Sequence, residues 1–136
     1  MSTFRCAIVT PSEQAFDDEV AEVEFPQWDG QRGVLKGSAP FVARLGSGRL
    51  RIRLAGGGEK HFLLDGGFAE LHDDQLTLVA DEIVAKEALD AAASRKRLED
   101  AIAAISAPGT QDLEAREALE RERQVASVAV AMAESR

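Results

Sequence analysis

The stretch Gly30-Gln-Arg-Gly-Val-Leu-Lys-Gly-Ser-Ala-Pro40 is the part of the chain around which the rest is organised. It holds three glycines and ends in a proline, a composition that predicts a loop with unusual backbone angles. Val34 and Leu35 interrupt its polar run, which predicts a short buried segment between two turns. Loops of this kind often present their backbone to a partner, whereas composition alone favours a plain hairpin connection in a β-domain.

The composition is typical of a globular protein with one domain or two small ones. Hydrophobic residues make up 45% and charged residues 29% of the 136 residues, without the signature of a disordered chain. The net charge of −8 argues against nucleic acid as a partner and against electrostatic binding to anionic lipid.

No apolar run approaches the ~20 residues that a membrane-spanning helix needs, and the N-terminus lacks the apolar core of a signal peptide. We therefore expect no direct membrane insertion, and any membrane association to pass through another protein. Cys6 is the only cysteine and lies in an apolar run, which favours a small buried hydrophobic residue over a reactive thiol.

A change in composition near residue 85 predicts two domains, a β-rich one over 1–85 and a helical one over 86–136. Ten of the eleven glycines and three of the four prolines precede that boundary, and the remainder is rich in Ala, Glu and Arg.

The first domain carries short strand patterns separated by turn signals. In the clearest of them Leu50, Ile52 and Leu54 alternate with three arginines. The predicted strands are Phe4–Thr10, Val20–Phe25, Arg49–Ala55, Lys60–Leu64, Phe68–Leu71 and Gln75–Val79, with turns at Gly56–Gly58, Asp65–Gly67 and His72–Asp74. Short strands at this spacing predict an antiparallel β-sandwich, with about ten strands in all.

The sequence of the second domain predicts an antiparallel α-helical hairpin. With the β-sandwich before it, the predicted fold class of the whole chain is α+β, rich in β-structure. A cap at Asp81 or a neighbour starts a helix that runs to about Ile105, with Leu98, Ile102 and Ile105 at helical spacing. Ser106–Gly109 ends it, Thr110 caps a second helix, and that helix runs from Gln111 to about Ala133. The contact residues are mostly alanines, which suits either a pair that can undock or simply a small hairpin.

The sequence offers no pattern for catalysis, for a metal or for a cofactor. His61 and His72 lack ligand partners at metal-binding spacing, so surface and turn positions are favoured for both. Ser12, Ser38 and Ser47 lack a nucleophile elbow, and Gly56–Gly58 lacks the following Lys-Ser/Thr pair and the helix of a phosphate-binding loop.

Two features are candidates for protein contacts. Arg49, Arg51 and Arg53 form a basic stripe that could dock an acidic partner, or pair across the sheet with carboxylates such as Glu59 or Asp65. Trp28 lies in a polar stretch, where it either contacts a partner or packs against its own loop.

Five segments in order resemble the ε subunit of F-type ATP synthases, called δ in mitochondria. The segments are Asp29-Gly30-x-x-Gly33-Val34-Leu35-x-Gly37-x-Ala39-Pro40-Phe41, Val9-Thr10-Pro11, Gly48–Ile52, Gly66–Leu71 and Leu78–Asp81. The resemblance covers about the first 85 residues well and the rest by pattern only. Lys36 and Ser38 stand where the family usually has Pro and His.

The resemblance implies a non-catalytic rotor subunit of a proton-translocating ATP synthase. Its partners would be the γ subunit, the c ring and, transiently, the catalytic head, at the cytoplasmic face of the bacterial inner membrane. By position, the c-ring contacts would be Trp28, Asp29, Gly30, Arg32, Gly33, Lys36, Gly37 and Ser38. The alternative is a free-standing β-sandwich adaptor for a soluble partner.

In the family the C-terminal hairpin can extend and block ATP hydrolysis, and in some members it binds ATP through an [Ile/Leu]-Asp-x-x-Arg-Ala motif. Here Leu89-Asp90 is followed by Ala93 where the motif has arginine, so no nucleotide site is expected. The inhibitory candidates are Arg116, Arg121 and Arg123. Because 111–136 carries six carboxylates against four arginines, we expect weak inhibition at most.

Overall fold

The computed structural model describes residues 2–107 and 112–135. The chain divides into two compact units, Met1–Ala85 and Lys86–Arg136. The described residues of the first unit form seven strands, and those of the second form a short 3₁₀ turn at Lys86–Ala88 and two helices. A β-sandwich followed by a helical hairpin is therefore confirmed.

The strands are fewer and longer than the predicted ten. They are β1 Phe4–Val9, β2 Gln14–Gln27, β3 Gly30–Val34, β4 Phe41–Arg44, β5 Ser47–Leu54, β6 Glu59–His72 and β7 Gln75–Ala85. They hydrogen-bond in the order β1-β7-β6-β5-β2-β3, and β4 pairs with β6. Because β2 also pairs with β1, the sheet folds back on itself around one apolar core that includes Cys6, Phe25 and Leu50.

The prediction of a turn at Asp65–Gly67 is wrong, because β6 passes through this segment without reversing. Its first half pairs with β5 and its second half with β4. Gly66 and Gly67 have φ values of 75° and 120°, a backbone region that favours glycine. The two glycines therefore redirect a long strand, and the sequence signal for a turn marked this change of direction.

The loop predicted over residues 30–40 is also partly wrong. Gly30–Val34 forms β3 and pairs with the end of β2, from Val23 to Gln27. The buried Val34 fits the predicted buried segment, whereas Leu35 is exposed. The irregular part is therefore confined to residues 35–40.

The helical hairpin begins later than predicted. The proposed cap at Asp81 is wrong because β7 continues to Ala85, where Ile83 and Val84 still pair with β6. Helix α1 spans Ala91–Ser106, and the Asp90 carboxylate caps it by accepting hydrogen bonds from the amides of residues 92 and 93.

Helix α2 spans Leu113–Glu134 and is capped by Asp112, while the proposed cap Thr110 lies outside the described residues. The residues buried in this unit are mostly small, namely Ser94, Ala101, Val125, Ala126, Ala129 and Met132. Ile102, one of the apolar residues at helical spacing in the sequence, is exposed. The expected alanine-rich packing is thus present, with Ala101 buried in place of Ile102.

We predict that Gly67→Ala destabilises the sandwich by at least about 2 kcal/mol. A Cβ at this position would overlap the carbonyl oxygen of Val79 on the neighbouring strand, and the φ value would be strained as well. The matched control is Gly56→Ala, where the added Cβ meets no atom within 4 Å. Urea unfolding followed through the amide NMR signals of β6 and β7 measures both variants, and equal midpoints would contradict the prediction.

Candidate interaction surfaces

An exposed apolar strip crosses the outer face of the sandwich. It consists of Val42 on β4, Phe68 on β6 and Val79 on β7, with 72%, 60% and 46% of their surface exposed. Phe68 pairs directly with Val79, and Val79 pairs in turn with Val9 of β1. Because large apolar side chains gathered on one face mark contact sites, this apolar strip is the first candidate protein interface.

Sequence reasoning missed the apolar strip, although a signal was present. Ala69 and Leu71 are buried, so strand alternation directs Phe68 and Glu70 to the opposite face. The signal in the sequence was therefore a phenylalanine, Phe68, at a strand position that alternation directs away from the core. Its pairing with Val79 could not be read from the chain, because the register of β6 and β7 depends on where their turn falls.

The residues that the resemblance assigns to the ring contact do not form one loop. Trp28 and Asp29 form the β2–β3 turn, Gly30 and Gly33 lie within β3, and Lys36–Ser38 lie just beyond the C-terminal end of that strand. The length of β3 separates the two groups by roughly 13 Å, at about 3.3 Å per residue. The residues expected at the ring contact therefore fall into two separate regions, one at each end of an edge strand.

Trp28 is exposed at the tip of its turn, with 68% of its surface accessible. Its backbone amide donates a hydrogen bond to the carbonyl of Arg44, so the turn is anchored while the indole is accessible. The alternative in which the ring packs against its own loop is therefore wrong. An exposed tryptophan on an anchored turn is suited to burial against a partner.

Arg32 is engaged within the sandwich rather than presented to a partner. Its Nη1 donates to Oε1 of Gln27 at 3.0 Å, and its guanidinium lies 3.8 Å from the ring centroid of Phe41. Lys36, by contrast, is exposed and has no ion pair among the described residues. Of the two cations predicted at this surface, Lys36 is the accessible one.

The turn that carries Lys36 is held by hydrogen bonds. Oγ of Ser38 accepts from the amide of Leu35 at 3.0 Å, and the amide of Ser38 donates to the carbonyl of Leu35 at 3.1 Å. Gly37 has a φ of 84° and donates its amide to Oδ1 of Asp74 at 2.9 Å. Ser38 therefore shapes the turn that presents Lys36.

Two arginines of the basic stripe are paired across the sheet. Arg51 lies within ion-pair distance of Glu22, Glu24 and Glu59, and Arg53 pairs with Glu22 at 2.9 Å. The hydrogen bond from Arg51 lowers the pKa of the Glu59 carboxyl. The cross-strand alternative thus accounts for these two arginines.

The partners of this network differ in part from those that the sequence suggested. Glu59 was one of the two carboxylates named, and it takes part. The other, Asp65, accepts a hydrogen bond from the hydroxyl of Ser47 instead. His61 also joins, with Nε2 at 3.2 Å from Oε1 of Glu59.

Ion pairs connect the two helices of the hairpin. The Arg97 guanidinium donates two hydrogen bonds to Glu122, at 2.6 and 2.8 Å, and Arg95 pairs with Glu134 at 3.0 Å. The Arg97 hydrogen bonds lower the pKa of the Glu122 carboxyl.

The arginines proposed as inhibitory lie on α2. Arg123 pairs with Glu120 at 3.1 Å within the helix, and Arg116 and Arg121 are exposed. No structural contact of these residues assigns them a role.

The described titratable groups outside these surfaces include the buried thiol of Cys6. Burial raises the pKa of the Cys6 thiol to about 12, which keeps it protonated and unreactive. Within the described residues no cluster of His, Cys, Asp and Glu could hold a metal ion. In the same part of the chain, no helix has the length and apolar character required to cross a membrane.

Comparison with known proteins gives a consistent picture. Residues 3–86 match the family described as ATP synthase, Delta/Epsilon chain, beta-sandwich domain. The ATP synthase epsilon chain of Rhodopirellula baltica is 37% identical over 100 residues, covering 74% of this chain and 77% of the relative. That of Nitrobacter winogradskyi is 38% identical over 107 residues, covering 79% and 76%.

A solved structure extends this similarity to both units. A chain of the mitochondrial ATP synthase of Euglena gracilis, solved with OSCP, F1 and the c-ring, superposes with a TM-score of 0.83. The identity is 25%, and the alignment covers 96% of this chain and 81% of that one.

We predict that acid weakens the helical hairpin in part through Glu122. Because its folded pKa is lowered below the ordinary 4.5, its stabilising effect is complete above that pH and is lost as the pH falls through the folded pKa. The thermal midpoint, followed by circular dichroism at 222 nm, should drop less between pH 7 and pH 3 in Glu122→Gln than in the wild type. Glu99→Gln, an exposed carboxylate without an ion pair among the described residues, should follow the wild type. An unchanged drop in Glu122→Gln would contradict this assignment.

Proposed function

The chain belongs to the ATP synthase delta/epsilon family, and we propose that it is the central-stalk epsilon subunit that joins γ to the c ring of an F-type ATP synthase. The observation that carries this proposal is the apolar strip of Val42, Phe68 and Val79 on the sandwich of a protein with a net charge of −8. A strip of this kind favours a lasting protein partner. The alternative, a free-standing adaptor, is not favoured, because the relatives and the solved neighbour are ATP synthase chains.

We assign the apolar strip to the γ subunit. Its centre is formed by side chains of paired strands, so the surface is firm and needs little ordering when a partner binds. In the strand register Arg44 lies opposite Phe68 and Glu70 opposite Val42, so charged side chains alternate with the apolar ones on this face. A mixture of apolar and polar contacts is usual in protein interfaces.

We assign the polar ends of β3 to the c ring. Trp28 supplies an exposed aromatic at one end, and Lys36 supplies an exposed cation at the other. Because Arg32 is held against Phe41, the charged contact that replaces the family's usual Pro and His rests on Lys36. This surface is polar and small, which suits a contact supported by a second, larger interface.

In this role the subunit does no chemistry of its own. It transmits torque and holds the rotor together, while catalysis belongs to the head. Its place would be peripheral to the membrane, at the cytoplasmic face of the bacterial inner membrane, held there by γ and the c ring. The ion pairs that join α1 to α2 favour the closed hairpin, and this supports weak inhibition of ATP hydrolysis at most.

We predict that Phe68→Asp lowers the affinity for purified γ at least tenfold, because it places a charge at the centre of an apolar contact. Since Phe68 is exposed, the fold should be unaffected. Arg49→Asp, which alters the basic stripe instead, should leave the affinity within about twofold of the wild type. Surface plasmon resonance measures both variants. If Arg49→Asp impaired binding and Phe68→Asp did not, the stripe rather than the apolar strip would be the γ site.

We predict that Lys36→Glu reduces proton-coupled ATP synthesis in reconstituted vesicles, while ATP hydrolysis by the soluble head stays unchanged. The substitution reverses the accessible charge at the ring-facing turn and disturbs none of the hydrogen bonds that shape it. Lys60→Glu, an exposed lysine at the start of β6, is the matched control and should couple normally. Normal coupling in Lys36→Glu would remove this turn from the ring interface.

A further inference from the structure

We propose that Asp74 is a positioning residue that holds the turn Lys36–Ser38 in place for its contact with the c ring. The inference rests on the proposed function for its biological meaning. The physical link between Asp74 and this turn stands on the structure alone. Asp74 is distant in sequence from every residue that the family resemblance assigned to the ring contact.

Asp74 lies in a tight turn and has a left-handed backbone conformation. It forms a two-residue turn with Asp73 between β6 and β7, and the two residues have φ values of 57° and 50°. This left-handed region favours glycine, asparagine and aspartate over other residues. Aspartate therefore fits this turn, and its carboxylate is available for a specific contact.

The contact is a hydrogen bond between two segments that are far apart in sequence. Oδ1 of Asp74 accepts the amide proton of Gly37 at 2.9 Å, across 37 residues of chain. The carbonyl oxygen of Asp74 accepts the amide of Arg5 at 3.1 Å, so the β6–β7 turn is itself joined to β1. Asp74 thus bonds to the Lys36 turn through its side chain and to β1 through its carbonyl oxygen.

Little else in the described structure fixes the Lys36 turn to the sandwich. The bonds between Leu35 and Ser38 close the turn on itself but do not attach it to another strand. Among the hydrogen bonds of the described residues, the one from Gly37 to Asp74 is the attachment of residues 36–38 to another element. Losing it should leave the turn formed but free to shift, and the Lys36 ammonium would then be less well placed for its partner.

Asp73 has a different role and provides a control within the same turn. Its carboxylate lies 3.1 Å from Nδ1 of the neighbouring His72 and is exposed to solvent. It has the same backbone conformation as Asp74 but makes no hydrogen bond to the Lys36 turn in the described structure. Replacing either aspartate by glycine relieves the same kind of backbone strain, and only the change at Asp74 removes the attachment.

The test compares Asp74→Gly, Asp74→Asn and Asp73→Gly in the full chain. Amide hydrogen exchange of Gly37, measured by NMR, should be about tenfold faster in Asp74→Gly and near wild type in the other two, because asparagine keeps an acceptor oxygen. Affinity for a purified γ–c-ring rotor, measured by surface plasmon resonance, should fall at least threefold in Asp74→Gly alone. The thermal midpoints of Asp74→Gly and Asp73→Gly should be similar, so that a difference in rotor affinity between them does not reflect a loss of stability.

The outcomes distinguish this inference from the proposed function. If Gly37 exchange in Asp74→Gly equals that of the wild type, or rises equally in Asp73→Gly, the attachment through Asp74 is wrong. Faster exchange with unchanged rotor affinity would overturn the positioning role. Failure of the wild-type chain to bind the rotor would overturn the proposed function instead, and Gly37 exchange would still decide whether Asp74 holds the turn.

Discussion

The close approach of β6 to β7 at Gly67 is the constraint on which the sandwich depends. A side chain at Gly67 would collide with the Val79 carbonyl, so the two strands can meet here only because the Cβ is absent. The positive φ angles of Gly66 and Gly67 change the direction of β6, which lets its two halves pair with β5 and β4. The same feature places Phe68 on the outer face beside Val79, so the bend creates the proposed γ surface as well as the fold.

The proposed contact surfaces differ in their charge, so each suits a different kind of partner. On the face formed by β2, β5 and β6, Arg51 is paired with glutamates of the neighbouring strands. This face therefore attracts an acidic partner only weakly. The apolar strip has no such internal partners and gains by being covered. Lys36 has no ion pair among the described residues, and its turn is attached to the β6–β7 turn through Asp74. A rotor subunit needs this division, since it has to hold one partner firmly and meet a second at a defined place.

The sequence was sufficient for the class of fold and for elements whose signal is local. Alternation on Arg49–Ala55 predicted the buried Leu50 and Ile52, and the triple glycine predicted the β5–β6 hairpin. Three errors share one cause, which is that the deciding contact is distant in sequence. Gly66–Gly67 resembles a turn in the sequence, but β5 and β4 pair with the same strand, β6, before and after these glycines. Asp81 resembles a helix cap until β7 is seen to continue along β6, and Arg32 resembles a free charge until Phe41 is seen beneath it.

The most direct test of the account is hydroxyl-radical labelling of the full chain, free and in the assembled rotor, read by mass spectrometry at Phe68 and Trp28. Both side chains are exposed in the free chain and react readily in that state. If the account is correct, γ alone protects Phe68 and leaves Trp28 reactive, and adding the c ring then protects Trp28. A stable complex with γ in which Phe68 is labelled as fast as in the free chain would contradict it.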